Sequence, residues 1–485
     1  MSDPGRPALR QALGLRTVVS TSTGLAFAAI EYLAAAGLVA YVAGDSGWIS
    51  ILVASLLALL AWGFFGELNG MFPTAAAIRL YMQRAMPDGV ALTITFTYMA
   101  TILLVIAADA FIVGTALAHA FGEPAWVAGL WIAGLLGVAV AGNLRGVVVA
   151  GRIQDLATVV VVVVTVVVGA VALASSHRAL VTPLQPLHGH GAAGFLQSVA
   201  LGVFLFSAFE WVTTSAEEVT RPAHIHRGMF LSVLILAVVA SVITVGMSHT
   251  LDHAELTSAY PQLYLGRAAF GHAGLLLMTA VTAVTAVNTF NGGFITASRF
   301  IYGTAREGSL PRALASLNAR AVPWVPVVVL GVVSLVVSLV VAVTGSWQVL
   351  VAVGAALEAM IYAVAAYCTL VLRRRLPDHP RPFRVLGVEV LAVAGIVVFA
   401  VLAVSASLSV DNRFNPLPLV LIALGAAASA AYVGLVLPKM RAAEAASLEA
   451  AALSGSKIRP SARCPGSVAA STSSNPAASL QIGRA

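Results

Sequence analysis

Apolar residues run along this chain in long stretches broken by short polar segments. Twelve such stretches stand out, over about 17–43, 48–69, 90–118, 125–142, 154–175, 195–216, 228–249, 272–297, 323–344, 347–371, 386–409 and 416–437. Each is close to the roughly 20 residues a helix needs to cross a bilayer. Backbone groups in lipid must find partners within their own segment, so the stretches predict helices. The weak ten-residue alternation of a membrane β-barrel is missing. The first stretch is too long for a cleavable signal, and no small-residue cleavage site follows it.

The basic residues sharpen this picture. With the N-terminus placed in the cytoplasm, all but Arg178, Arg267 and Arg413 of the 27 Lys and Arg fall in inside segments. Arginine and lysine concentrate on the cytoplasmic side of membrane proteins, so the bias predicts both the orientation and an even number of spans. Both termini are then expected inside, with the chain a multi-pass protein of the cell membrane. The tail over 438–485 is rich in Ala, Ser and Gly and reads as disordered, with a short helix conceivable over 444–453.

Composition agrees. The chain is 59% hydrophobic and 10% charged, where a soluble domain carries roughly 25% charged residues. This excludes a soluble enzyme, a nucleic-acid reader and a disordered protein. The net charge of +7 then reports inside arginines rather than a phosphate-binding surface. Cys368 and Cys464 supply neither a disulfide framework nor a metal site. His188, His190, His249 and His253 lack the Cys or carboxylate partners of a zinc centre.

Five loops, all inside, carry specific motifs: Glu67 to Pro73 with Tyr81, Asn143 to Val147 with Arg152 to Gln154, and Ala216 to Pro222 with Arg227 and Gly228. The other two are Ser298 to Pro311, and Arg374 to Pro377 with Arg381 to Phe383. Taken singly, Gly308 and Pro311 end a helix, and the arginines face lipid phosphates. As an ordered set, the motifs resemble those of the amino acid–polyamine–organocation superfamily of permeases, over about residues 12–437.

That resemblance implies an all-α integral membrane fold of 12 transmembrane helices. A five-plus-five inverted repeat would occupy 17–175 (spans 1–5) and 195–371 (spans 6–10), with two extra spans in 386–437 and a cytoplasmic segment over 1–16. Spans 1 and 6 would be broken near the midplane, where freed backbone groups meet the substrate. The matching positions are Gly24, Ala28 and Ala29 in span 1, and Phe204, Ser207 and Ala208 in span 6. Here the family's usual glycines are replaced by alanine, which prefers helix over glycine by roughly 1 kcal/mol. A lysine common in span 5 is also missing, with Val161 near its place, so lysine-mediated coupling does not carry over.

Independently of any family, Glu31, Asp109, Glu210 and Glu358 fall near the centres of spans 1, 3, 6 and 10. A charge at the bilayer centre costs about 2.5–3.5 kcal/mol or more, and no Lys or Arg stands at that depth. Such acids face a cavity or the bundle interior, protonated or paired with something from outside. The plainer alternative is a hydrogen bond to a neighbouring helix. Glu210 is the expected coupling residue, and Glu31, Asp109 and Glu358 are expected to bind substrate. In span 8, Thr279, Thr282, Thr285, Asn288 and Asn291 recur every three residues. This row winds around a 3.6-residue helix, leaving Thr285 and Asn288 as pocket candidates.

The sequence thus predicts a secondary transporter for amino acids or related amines, working by alternating access without a cofactor. It would sit in the lipid bilayer, take no nucleic acid, and run as an H⁺ symport, with Na⁺ the alternative. The acids favour a cationic substrate: a basic amino acid, a polyamine or an amino alcohol. The alternative is a neutral amino acid, with the acids serving coupling only. A membrane enzyme is disfavoured by the lack of nucleophile, zincin and phosphate-loop motifs. A channel or sensor is the reading from another class.

Overall fold

The computed structural model describes residues 13–74, 77–146, 151–176, 184–187, 191–408, 413–443 and 446, with side chains for all of these but 30–31 and 151–154. Most of the tail, Arg178, His188, His190, and the Glu31 side chain lie outside the described residues. The helices named below belong to the unit Met1–Pro438.

Helix α1 (Leu15–Ala26) stops, a π-helical turn spans Ala29–Ala34, and α2 (Ala35–Ala43) comes next. After a 3₁₀ turn come α3 (Gly47–Met71), the short α4 (Ala77–Ala85), α5 (Asp88–Ala120), α6 (Val127–Leu144) and α7 (Gly151–Ser175). Helix α8 (Gly191–Phe204) gives way to a 3₁₀ helix over Phe209–Ser215. Then come α9 (Ala223–Thr250), the single turn α10 (His253–Leu256), α11 (Pro261–Arg306), α12 (Trp324–Thr344), α13 (Trp347–Arg375), α14 (Val388–Ser405) and α15 (Leu417–Ala431).

Among the described residues, 11 helices are long and apolar enough to cross a membrane, where the sequence predicts twelve. The difference lies in the first stretch. Helix α1 has 12 residues, too few to span, and the helical segment beyond the interruption runs on into α3 through the turn at Gly44–Ser46. Helix α11 is itself bent at Phe270 and at Gly271, whose φ of 61° suits glycine, so its long straight part begins where the sequence starts the eighth stretch.

Contacts between loops sort them to two ends. Leu13 bonds through its backbone to Glu218 and Thr220, Thr74 donates to Glu217, and Arg79 pairs with Glu307. Asn318 donates to the Leu144 carbonyl, and Arg375 to that of Arg84. All of these lie in segments the sequence assigns to one side. At the other end, Ser248 bonds Asp45, Ser176 the His249 carbonyl, and Gln348 the Thr257 carbonyl.

The arginine-rich end is fastened by a buried charge cluster. Glu67, fully buried near the end of α3, accepts two 2.8 Å bonds from Arg373 and one of 2.9 Å from the Val385 backbone N–H. Arg381 lies 3.4 Å from the same carboxylate and donates to the carbonyls of Leu372, Leu376, Pro377 and His379. The Phe383 ring stacks on His226 and tilts against Trp62, and its fit needs Gly66, where a Cβ would come within 3.0 Å of it. Glu67, which opens the first loop motif, thus joins α3 to α13 and to the loop that follows α13.

Candidate functional site

Two helices are interrupted, and α1 packs against the 3₁₀ helix that follows the second interruption. Helix α1 ends at Ala26, and Phe27 leaves the helical region with ψ of 49°. The π turn then starts at Ala29, so the break falls on Phe27 and Ala28 without a glycine. In the second, Leu205, Phe206 and Ser207 make tight three-residue bonds to Gly202, Val203 and Phe204, and Ala208 takes the left-handed conformation with φ of 67°. The Ser22 hydroxyl of α1 donates 2.8 Å to the Phe209 carbonyl, tying α1 to the start of the 3₁₀ helix.

An alanine in the left-handed region costs about 1–2 kcal/mol, which glycine avoids. Such strain collects at functional sites, where surrounding structure holds it in place. Ala208→Gly is expected to raise stability to unfolding by about 1 kcal/mol, read as a higher unfolding midpoint in detergent. A lower midpoint would show that Ala208 is not strained. Gly24, by contrast, sits at the crossing of α1 with α7, where a Cβ would lie 2.6 Å from Thr158 Oγ1.

The three predicted acids whose side chains are described fall into two places, and the Glu31 side chain lies outside the described residues. At the first, the π turn packs against both α5 and α11. A Cβ on Gly293 would lie 3.0 Å from Ile106 Cδ1, and one on Gly292 would lie 2.6 Å from Leu25. Antiparallel packing then sets Asp109, fully buried, at about the level of Asn288, which is 7% exposed. The neighbouring Thr279, Thr282 and Thr285 hydroxyls donate back to carbonyls of their own helix, which leaves Asn288 as the polar group of this row best suited to a ligand.

At the second, Glu210 and Glu358 come together, both buried. The Tyr98 hydroxyl donates 2.9 Å to Glu210 Oε1 and accepts 2.5 Å from Trp211 Nε1. The Glu358 carboxyl and Tyr362 hydroxyl border the Glu210 carboxyl, whose Oε2 has no hydrogen-bond partner. Phe65, Phe209 and Phe399 wall the Tyr362 ring, with centroids 6.1, 6.0 and 5.4 Å away. Asp109 stands eleven residues beyond Tyr98, about 16 Å along the axis of α5, so it lies well away from the Tyr98 that bonds Glu210.

Tyr98, Trp211 and Tyr362 escaped the sequence reading. The signal for Tyr362 was present, since it stands one helical turn after Glu358. Tyr98 and Trp211 read as ordinary apolar-face aromatics. Phe204 packs on α13, where a Cβ on Gly354 would reach its ring at 2.7 Å.

Comparison with known proteins fits this architecture. Residues 13–424 match the family model described as amino acid permease. The mouse Asc-type amino acid transporter 1 is 28% identical over 204 residues, covering 42% of this chain and 37% of that protein. This chain thus spans little more than a third of the mouse relative's length. The human large neutral amino acids transporter small subunit 2 is 28% identical over 210 residues, 41% of this chain and 36% of that protein. The Bacillus subtilis (strain 168) protein called uncharacterized amino acid permease YecA is 25% identical over 300 residues, 61% and 69% of the two chains. Among solved structures, the Eremococcus coleocola manganese transporter superposes with a TM-score of 0.56 at 15% identity, covering 89% of this chain and 96% of the other. That likeness is one of fold alone. The matched family is one of transporters and not of enzymes. With the match extending across all but the ends of the chain, this multi-pass membrane protein belongs to the amino acid permease family.

Proposed function

We propose that the protein is a secondary carrier that moves an amino acid across the cell membrane by alternating access, coupled to H⁺ through Glu210. Its twelve spans form two five-helix repeats plus two extra helices, with both termini and the arginine-rich end in the cytoplasm. The substrate sits between the broken segments at Phe27–Ala28 and Leu205–Ala208, near Asp109 and Asn288. Backbone groups released from helix bonding serve its carboxylate and ammonium.

One observation carries this reading: two helices are interrupted without glycine, at Phe27–Ala28 and at Leu205–Ala208, and α1 bonds through Ser22 to Phe209, just past the second interruption. Glu210 supports the coupling role. It lies two residues past the second break, buried on its cytoplasmic side, and a carboxyl there exchanges a proton when its surroundings change from closed to open.

For the substrate we favour a neutral amino acid. Glu210 engages the Tyr98 hydroxyl, with Glu358 and Tyr362 beside it. Two relatives are also named for neutral or Asc-type transport. The second reading, a cationic substrate, rests on Asp109, buried on α5, against which the π turn packs. An uptake screen in proteoliposomes of labelled neutral and basic amino acids, with and without an inward pH gradient, separates them. Neutral amino acids are expected to accumulate only with the gradient. Uptake confined to lysine, arginine or diamines would move the assignment to the cationic class.

A further inference from the structure

Two hydrogen bonds fasten span 1 to α9, one on each side of its break. Before the break, the Thr23 hydroxyl donates 3.1 Å to Ser232 Oγ. After it, the Tyr32 hydroxyl donates to the Leu236 carbonyl. Ser232 and Leu236 stand one helical turn apart on α9, on the same face. All four residues are buried. The Tyr32 ring also stacks on the Phe27 ring, with centroids 4.3 Å apart and planes at 28°.

Neither arrangement fits an uninterrupted helix. Thr23 and Tyr32 are nine positions apart, which would set them about 180° apart around a regular helix, on opposite faces. Phe27 and Tyr32 are five positions apart, about 140° around the axis, and rings pointing that far apart do not stack. Both contacts therefore need the chain broken between Ala26 and the π turn. The residues at the break do not supply it themselves. Ala28 and Ala29 are of the type that most prefers helix, and no glycine stands between Leu25 and Ala36 to relieve that preference.

The half before the break is fixed independently. Helix α1 lies so close on α9 that a Cβ on Gly228 would come 2.4 Å from Val18 Cγ1. The half after it is reached through Tyr32, whose backbone N–H bonds the Ala28 carbonyl at 2.9 Å while its ring covers Phe27 and its hydroxyl holds α9.

We infer that Tyr32 is a positioning residue that keeps span 1 open at Phe27–Ala28, its ring and hydroxyl doing there what a glycine would do by its own backbone preference. The consequence for transport rests on the carrier reading above: the opened backbone stays available to the substrate. Without the Tyr32 side chain, Ala28 and Ala29 close back into helix and their backbone groups are taken up by helix bonds. With glycine at 28 that tendency weakens, and the break no longer depends on Tyr32.

The test is amide hydrogen exchange of the segment 24–34, read by mass spectrometry on the full chain in detergent. In Tyr32→Leu, which loses both ring and hydroxyl, exchange is expected to slow about tenfold, because helix bonds protect the amides. Adding Ala28→Gly to Tyr32→Leu should return it to within about threefold of the unaltered protein. Tyr32→Phe keeps the stacked ring and loses only the bond to α9. Its exchange should slow about threefold, and it decides the matter if Tyr32→Leu does not fold. A side chain that merely fills space gives the opposite sign, since its loss loosens the segment and speeds exchange. Unchanged or faster exchange, or slowed exchange that glycine does not restore, overturns the inference. This readout needs no transport. In proteoliposomes, KM for labelled L-leucine is then expected to rise about tenfold in Tyr32→Leu, with the maximal rate held within about twofold, and to return with Ala28→Gly. If exchange behaves as expected while KM stays unchanged, the substrate does not meet this break, and the role of Tyr32 in holding it stands.

Discussion

Glu67→Ala is expected to destabilise the protein by about 3–5 kcal/mol, the cost of stripping one partner from a buried ion cluster. Two guanidiniums converge on this carboxylate, and the Arg373 and Arg381 side chains are only 18% and 4% exposed. Without Glu67 they would face each other with no anion between them. The Val385 N–H would also lose its acceptor. Because the cluster joins α3, α13 and the loop leading to α14, the loss should appear as a lower midpoint of global unfolding in detergent. Glu67→Gln keeps an acceptor oxygen but not the charge, so an intermediate loss is expected. Glu307→Ala is the contrast. That carboxylate is 54% exposed in its pair with Arg79, and removing it should cost about 1 kcal/mol or less. Equal midpoints for Glu67→Ala and Glu307→Ala would show that the cluster does not hold this end together.

The helices were legible because lipid leaves one solution for a backbone: long apolar stretches must be helices, and their ends were marked by arginine, proline and glycine. Gly345 is one such mark, closing α12 with φ of 67° and a 2.8 Å bond from its N–H to the Val341 carbonyl. Partnerships across the sequence were not legible. Glu67 and Arg373 each appeared in or beside a loop motif, but nothing local joins residues 306 positions apart. The breaks were less visible than their consequences. Alanine at 28 and 208 carries no local signal for unwinding, and tertiary packing overrides its helix preference.

The four central acids were found by a depth argument, which fixes how far along a span a residue lies and not which way it points. It therefore merged Asp109 with Glu210 and Glu358. Along α5, Tyr98 and Asp109 lie about three turns apart, and only Tyr98 reaches Glu210. The expectation of a cationic substrate followed from that merging. With Glu210 engaged by Tyr98, the case for a cationic ligand leans on Asp109, and on Glu31, whose side chain lies outside the described residues.

Loss of uphill transport in Glu210→Gln is the second large effect. Glutamine keeps the carbonyl oxygen that accepts from Tyr98, and it resembles the protonated acid in shape and charge, so the buried packing should survive. What it cannot do is release a proton. Substrate exchange at equal pH does not require the proton-free form, because the loaded carrier simply turns over in both directions. Net accumulation does require it. With one proton per substrate, an inward gradient of one pH unit is worth about 1.4 kcal/mol, or about tenfold accumulation. The decisive measurement is therefore paired in proteoliposomes: accumulation of a labelled amino acid under an inward pH gradient, and its exchange at equal pH, for the unaltered protein and for Glu210→Gln. The unaltered protein should do both, and the variant should exchange while its accumulation falls to about unity. Accumulation by Glu210→Gln on the pH gradient alone, or none by the unaltered protein, would contradict proton-coupled transport through Glu210.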